Sequence, residues 1–130
     1  MSYTPALFAA VTAALASGPQ ARETTTERMI LITRQAFDVT IVANGRDVTA
    51  TQPVVSVKYN ADGSGTRTLR NGQTVNGSWR FINPRQTQIE VTGPEGVSRW
   101  VIIELNERIY RKANMDTGVE FIHVPRGSLP

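Results

Sequence analysis

The sequence predicts an all-β chain: an antiparallel up-and-down barrel or half-barrel of about eight strands, preceded by one N-terminal α-helix. Three observations carry this. Apolar residues alternate with polar ones over most of the chain after residue 35, the period of a strand with one face in water. Clusters of Gly, Asn and Asp interrupt that alternation at roughly 8–12-residue intervals, the spacing of a meander. The run Val54 to Phe81 contains three strands in succession, and the third carries the aromatic pair Trp79 and Phe81 on one face.

The chain of 130 residues is read as a single domain, 1–130, with a helix over 4–17, a barrel over 28–124 and a fraying tail over 125–130. Thr4 is a suitable N-cap, Pro5 fits the first helical position and Gly18-Pro19 stops the helix. Leu7, Phe8, Val11 and Leu15 share one face of it. The same segment also reads as a signal peptide, because Ala14-Leu15-Ala16-Ser17 resembles a cleavage site, although no Lys or Arg precedes the apolar run. A retained helix implies a cytoplasmic protein; a removed leader implies a periplasmic or secreted one.

Met29–Thr33 and Phe37–Val42 are β-like, and Asn44-Gly45-Arg46-Asp47 turns the chain toward Val54. Val55, Val57 and Tyr59 then share a face. Asn60 to Gly65 is rich in residues that tolerate positive φ, and Asn71-Gly72 is the dipeptide of a two-residue type I′ hairpin. Ile89 and Val91 alternate with polar neighbours, and Gly93-Pro94-Glu95-Gly96 reverses the chain. In Arg99–Leu105, Trp100 and Ile102 fall on one face and Val101, Ile103 and Leu105 on the other, which predicts a strand covered on both sides. Asn106-Glu107 and Asp116-Thr117-Gly118 are the last two reversals, around Ile109–Lys112 and before Val119–Val124.

Composition narrows the chemistry. There are no cysteines, so disulfides, thiolate metal sites and cysteine nucleophiles are excluded. No segment approaches the ~20 apolar residues of a membrane-spanning helix. The net charge is only +3, and the arginines are dispersed along the chain. Nucleic-acid binders concentrate basic residues on one face, so scattered arginines read as a solvated outer surface. His123 is the single histidine, no nucleophile elbow or metal-binding cluster is present, and neither a metal nor another cofactor is expected. Glu104, in an apolar strand, would serve as a general base if buried. The balance is against catalysis; an isomerase or cyclase acting on an apolar substrate is the form an enzyme here would take.

The strings Tyr59-x-x-Asp62-Gly63-x-Gly65-Thr66, Gly77-x-Trp79-x-Phe81 and Trp100-x-Ile102-x-x-Leu105 resemble the small bacterial lipocalin-like domains of the calycin group. The resemblance covers residues 35–124. It departs from that pattern at Arg34-Gln35-Ala36-Phe37, where such domains open on Gly-x-Trp. It implies a barrel whose inner face holds a small hydrophobic or amphipathic ligand without catalysis. Tyr59, Trp79, Phe81, Trp100 and Phe121 are the ligand-binding candidates, since large aromatics line such cavities. The same alternation is needed merely to fill a core. Arg108-Ile109-Tyr110 resembles the Arg-x-Tyr pair with which fatty-acid-binding barrels hold a carboxylate, so Arg108 and Tyr110 join the candidates. A protein partner docking on loops or a strand edge is the alternative role.

Overall fold

A computed structural model describes residues 27–128. The helix expected over 4–17 lies outside them. Nine strands follow in order: β1 (Phe37–Ala43), β2 (Arg46–Asp47), β3 (Val54–Tyr59), β4 (Ser64–Leu69), β5 (Thr74–Phe81), β6 (Gln88–Gly93), β7 (Gly96–Leu105), β8 (Tyr110–Asn114) and β9 (Glu120–Pro125). β1 pairs with β3, each later strand pairs with its successor, and β9 returns to β1. The closing ladder runs from Phe37↔Pro125 to Val42↔Glu120. All pairings are antiparallel, so eight strands form a closed up-and-down barrel. The two-residue β2 attaches to the end of β1. Closure removes the unpaired edges that an open sheet would expose.

The turn residues act as their chemistry demands, with one exchange. Asn44 and Gly45 both take positive φ, 54° and 76°, and make the type I′ turn between β1 and β2. At Asn71-Gly72 only Gly72 is left-handed, at 90°. Leu69 N donates to Gln73 O and Gly72 N to Leu69 O, which is a type I turn closed by a left-handed glycine rather than type I′. Asn71 Oδ1 accepts from Gln73 N and holds its own backbone out of the left-handed region. The Asn60–Ser64 reversal is built on the same plan.

Residues 27–33 are helical, where Met29–Thr33 reads as β-like in the sequence. An uninterrupted apolar run does not distinguish a strand from a helix. Burial decides it: Ile32 is fully buried and Met29, three residues earlier, packs beside it on the same core. Arg28 Nε donates to Gln86 O, and Lys58 Nζ donates to Thr33 O at the helix C-terminus. The helix therefore sits at the barrel end that also carries the turn at 60–63 and the loop at 82–87. The turns at 70–72, 94–95 and 115–118 lie at the other end.

Three further expectations are corrected. A bulge between Val54 and Ser56 shifts the alternation, so Val54 rather than Val55 is buried with Val57 and Tyr59. β7 is covered on one side only: Trp100 and Ile102 are buried while Ile103 is 47% exposed, and a register shift between Ile102 and Glu104 turns the strand outward. The start of the tail is held in place. Pro125 belongs to β9, Arg126 N donates to Ala36 O, and Gly127 N donates to Asp38 Oδ2. Among the described residues, no helix is long and apolar enough to cross a membrane.

Candidate functional site

The cavity arises from missing side chains. Cross-strand partners share a face, and Tyr59 pairs with Gly65, which pairs with Gly77. Gly93 on β6 faces Gly96 on β7. These inward positions carry no side chain, so the aromatic residues across the barrel leave a space of about 190 Å³ unfilled. Gly77 is also required by the backbone, because a Cβ there would meet Thr92 O at 2.5 Å. The space opens past the β6–β7 turn. There Arg67 makes a two-pronged contact with Glu95, Nη2 to Oε1 and Oε2 at 2.9 and 2.8 Å. A Cβ on Gly93 would lie 2.7 Å from Glu95 Oε1, so that glycine gives this ion pair its room.

Tyr59, Trp79, Trp100 and Phe121 line the cavity together with Val57 and Val91. Trp79 is also tied to the fold: its backbone N donates to Gly63 O and its Nε1 to Asn60 O, stapling the 60–63 turn. Phe81 stands behind it, edge-on to its ring at 5.2 Å, and does not line the space. Arg108 and Tyr110 are not brought together as a carboxylate clamp. Arg108 is exposed in the turn at the helix end, beside Asn106 and Glu107, away from the cavity mouth. Tyr110 is fully buried, stacked on His123 at 4.2 Å, and its hydroxyl finds no hydrogen-bond partner among the described residues. Glu104 is exposed, so the condition for a buried general base is not met.

The chemically distinctive residue is Lys112. It is 3% exposed and lines the cavity from β8. Its Nζ lies 4.2 Å from the Trp100 ring centre and 5.5 Å from those of Tyr59 and Phe121. It donates to Tyr59 Oη at 3.0 Å. Tyr59 Oη is 3.2 Å from His123 Nε2, and His123 Nδ1 is 2.9 Å from Tyr110 O. The carbonyl can only accept, so Nδ1 carries the ring proton and Nε2 accepts from the tyrosine. The bonds thus run one way, from Lys112 through Tyr59 and His123 to the Tyr110 backbone.

Burial governs the charge states. Loss of hydration, with the Arg67 charge adding to it, pushes the Lys112 amine down to about 7. Burial and the neighbouring lysine hold His123 well below the usual imidazole range, so it is neutral. Burial raises the Tyr59 phenol above its ordinary value and keeps it protonated. None of the ion pairs formed among the described residues includes Lys112.

The signal for Lys112 was present in the sequence. The alternation that puts Tyr110 inside the barrel also puts Lys112 there, two residues later on β8. A lysine is ordinarily exposed, and that expectation hides it. The described residues contain no cluster of His, Asp or Glu able to hold a metal ion. Comparison with protein-family models, curated proteins and solved structures finds no match to this chain.

Proposed function

We propose that the protein binds a small amphipathic molecule inside the barrel without catalytic turnover, in the manner of a lipocalin-like domain. The observation that carries this reading is the aromatic cavity with one polar corner. Trp79, Trp100, Phe121, Val57 and Val91 form the apolar wall, and Lys112 hydrogen-bonded to Tyr59 forms a buried polar corner of the lining. Such a site takes a hydrophobic body and fixes the orientation of one polar end. Size sets the class. An apolar cavity of about 150 Å³ accommodates benzene. The cavity of about 190 Å³ therefore suits a single ring with a short polar substituent, with longer groups extending past Arg67 and Glu95.

Trp79 and Trp100 are the two tryptophans of the chain and both line the cavity. Titration with benzyl alcohol and with benzoate is expected to change tryptophan emission saturably, and Val91→Phe, which fills the space, is expected to abolish the change. Emission that stays constant up to the solubility of both ligands would refute the reading. A partner docking on a strand edge finds little backbone to pair with, because among the described residues the closed barrel leaves only the two-residue β2 at its margin.

A further inference from the structure

We propose that Lys112 is a carbonyl-capturing amine: an aldehyde bound in the barrel condenses with its Nζ to form an imine. The inference rests on the ligand-binding reading and adds the chemical class of the ligand.

Amine placement is the first support. Lys112 lines the cavity, is all but fully buried, and has no ion-pair partner among the described residues. A carboxylate beside it would hold the ammonium form. Instead the charged group nearest in effect is Arg67, which disfavours a second positive charge. An amine titrating near 7 is about half neutral at neutral pH, whereas an ordinary lysine is neutral in roughly one molecule per thousand. The aromatic rings around Nζ favour the cation by cation–π contact, against the desolvation that favours the neutral amine.

Lys58 provides the internal contrast. These are the two lysines of the chain. Lys58 Nζ donates to Thr33 O, Tyr59 O and Asn60 Oδ1, so all three ammonium protons are taken. That arrangement anchors the Lys58 side chain in a structural role. Among the described residues Lys112 Nζ has a single hydrogen-bond partner, Tyr59 Oη, which leaves its lone pair open to the cavity once the amine is neutral.

The hydrogen-bond chain handles the protons. The neutral amine attacks the carbonyl carbon; a C–N bond forms and the C=O π pair moves to oxygen. Oxygen gains a proton and nitrogen loses one, giving the carbinolamine. The C–O bond then breaks, the hydroxyl leaves with the second nitrogen proton as water, and C=N remains. Tyr59 Oη, 3.0 Å from Nζ, is placed to relay these protons, with His123 Nε2 at 3.2 Å holding the phenol in register. No oxidant or reductant takes part.

The experiment is to incubate the full-length protein at pH 7 with benzaldehyde and cyanoborohydride, then read intact mass and map the modified residue. One benzyl group on Lys112 is expected, with labelling at least about tenfold above Lys58 and the N-terminal amine, and with excess benzyl alcohol suppressing it. Labelling spread evenly over the amines, or unaffected by benzyl alcohol, would overturn the proposal. If benzyl alcohol alters tryptophan emission but no adduct forms on Lys112, imine capture is wrong and the binding reading stands. If neither ligand binds and no selective adduct forms, both fail. Because the readout is a site map on the unmodified sequence, it does not depend on any variant folding.

Discussion

Lys112 Nζ donates to Tyr59 Oη at 3.0 Å across the barrel interior, joining β8 to β3 through two side chains that are both buried. The pair sets how stability responds to alkali. The folded lysine titrates near 7 and an unfolded one near 10.4, so between these values the unfolded chain binds more protons. Stability is therefore expected to rise from pH 7 toward pH 10, and then to fall as unfolded tyrosines ionise while Tyr59 and Tyr110 stay protonated. Lys112→Met should remove the rise and gain about 2–3 kcal/mol at pH 7, read by urea unfolding at several pH values.

Acid should act through His123. Its folded pKa lies well below the ordinary value, so under acid the unfolded imidazole takes up a proton that the folded one refuses. Stability is expected to fall as pH drops below about 6.5. His123→Gln should flatten that part of the curve, even though it lowers stability at neutral pH. Melting temperatures between pH 5 and 7 are the test; an unchanged acid slope in the variant would rule out His123 as its source.

Tyr110 presents the opposite case to Tyr59. Its hydroxyl is buried without a partner among the described residues, and an unsatisfied buried polar group costs about 1–3 kcal/mol. Tyr110→Phe keeps the ring against Phe37 and His123 and should be neutral or stabilising by up to about 1 kcal/mol. Tyr59→Phe breaks contacts to both Lys112 and His123 and should cost about 1–3 kcal/mol. Equal losses for the two variants would contradict this difference.

The glycines around the cavity should separate in the same way. At Gly77 an added methyl meets the main-chain oxygen of Thr92 at 2.5 Å, so β5 and β6 must move apart. Gly77→Ala is expected to cost about 1–3 kcal/mol. At Gly93 the first atom met is the end of the Glu95 side chain, which can swing into solvent. Gly93→Ala should cost under about 1 kcal/mol, chiefly through the exposed Arg67–Glu95 pair. Thermal unfolding of both variants decides it.

Much of the barrel was legible in the residues because alternation and turn chemistry are local. Val57 and Tyr59, Trp79 and Phe81, and Trp100 and Ile102 each declare a face within a few residues, and glycine or asparagine marks the reversals. The helix at 27–33 was not legible, since Met29-Ile30-Leu31-Ile32 has no period of two to obey or break. The bulges at Val54–Ser56 and Ile102–Glu104 were hidden as well: an inserted residue changes which side chains face inward without changing composition.

Sequence alone thus determined strand order, the antiparallel meander and the aromatic character of the inner face, all of which follow from spacing along the chain. Tertiary structure decided the rest. The β1–β9 ladder, from Phe37↔Pro125 to Val42↔Glu120, joins the two ends of the meander and turns it into a closed barrel. Only that closure brings Lys112, Tyr59 and His123 into one hydrogen-bonded line and sends Arg108 to the opposite end from the cavity mouth. Their chemistry comes from burial, and burial is a property of the closed interior rather than of any segment that encloses it.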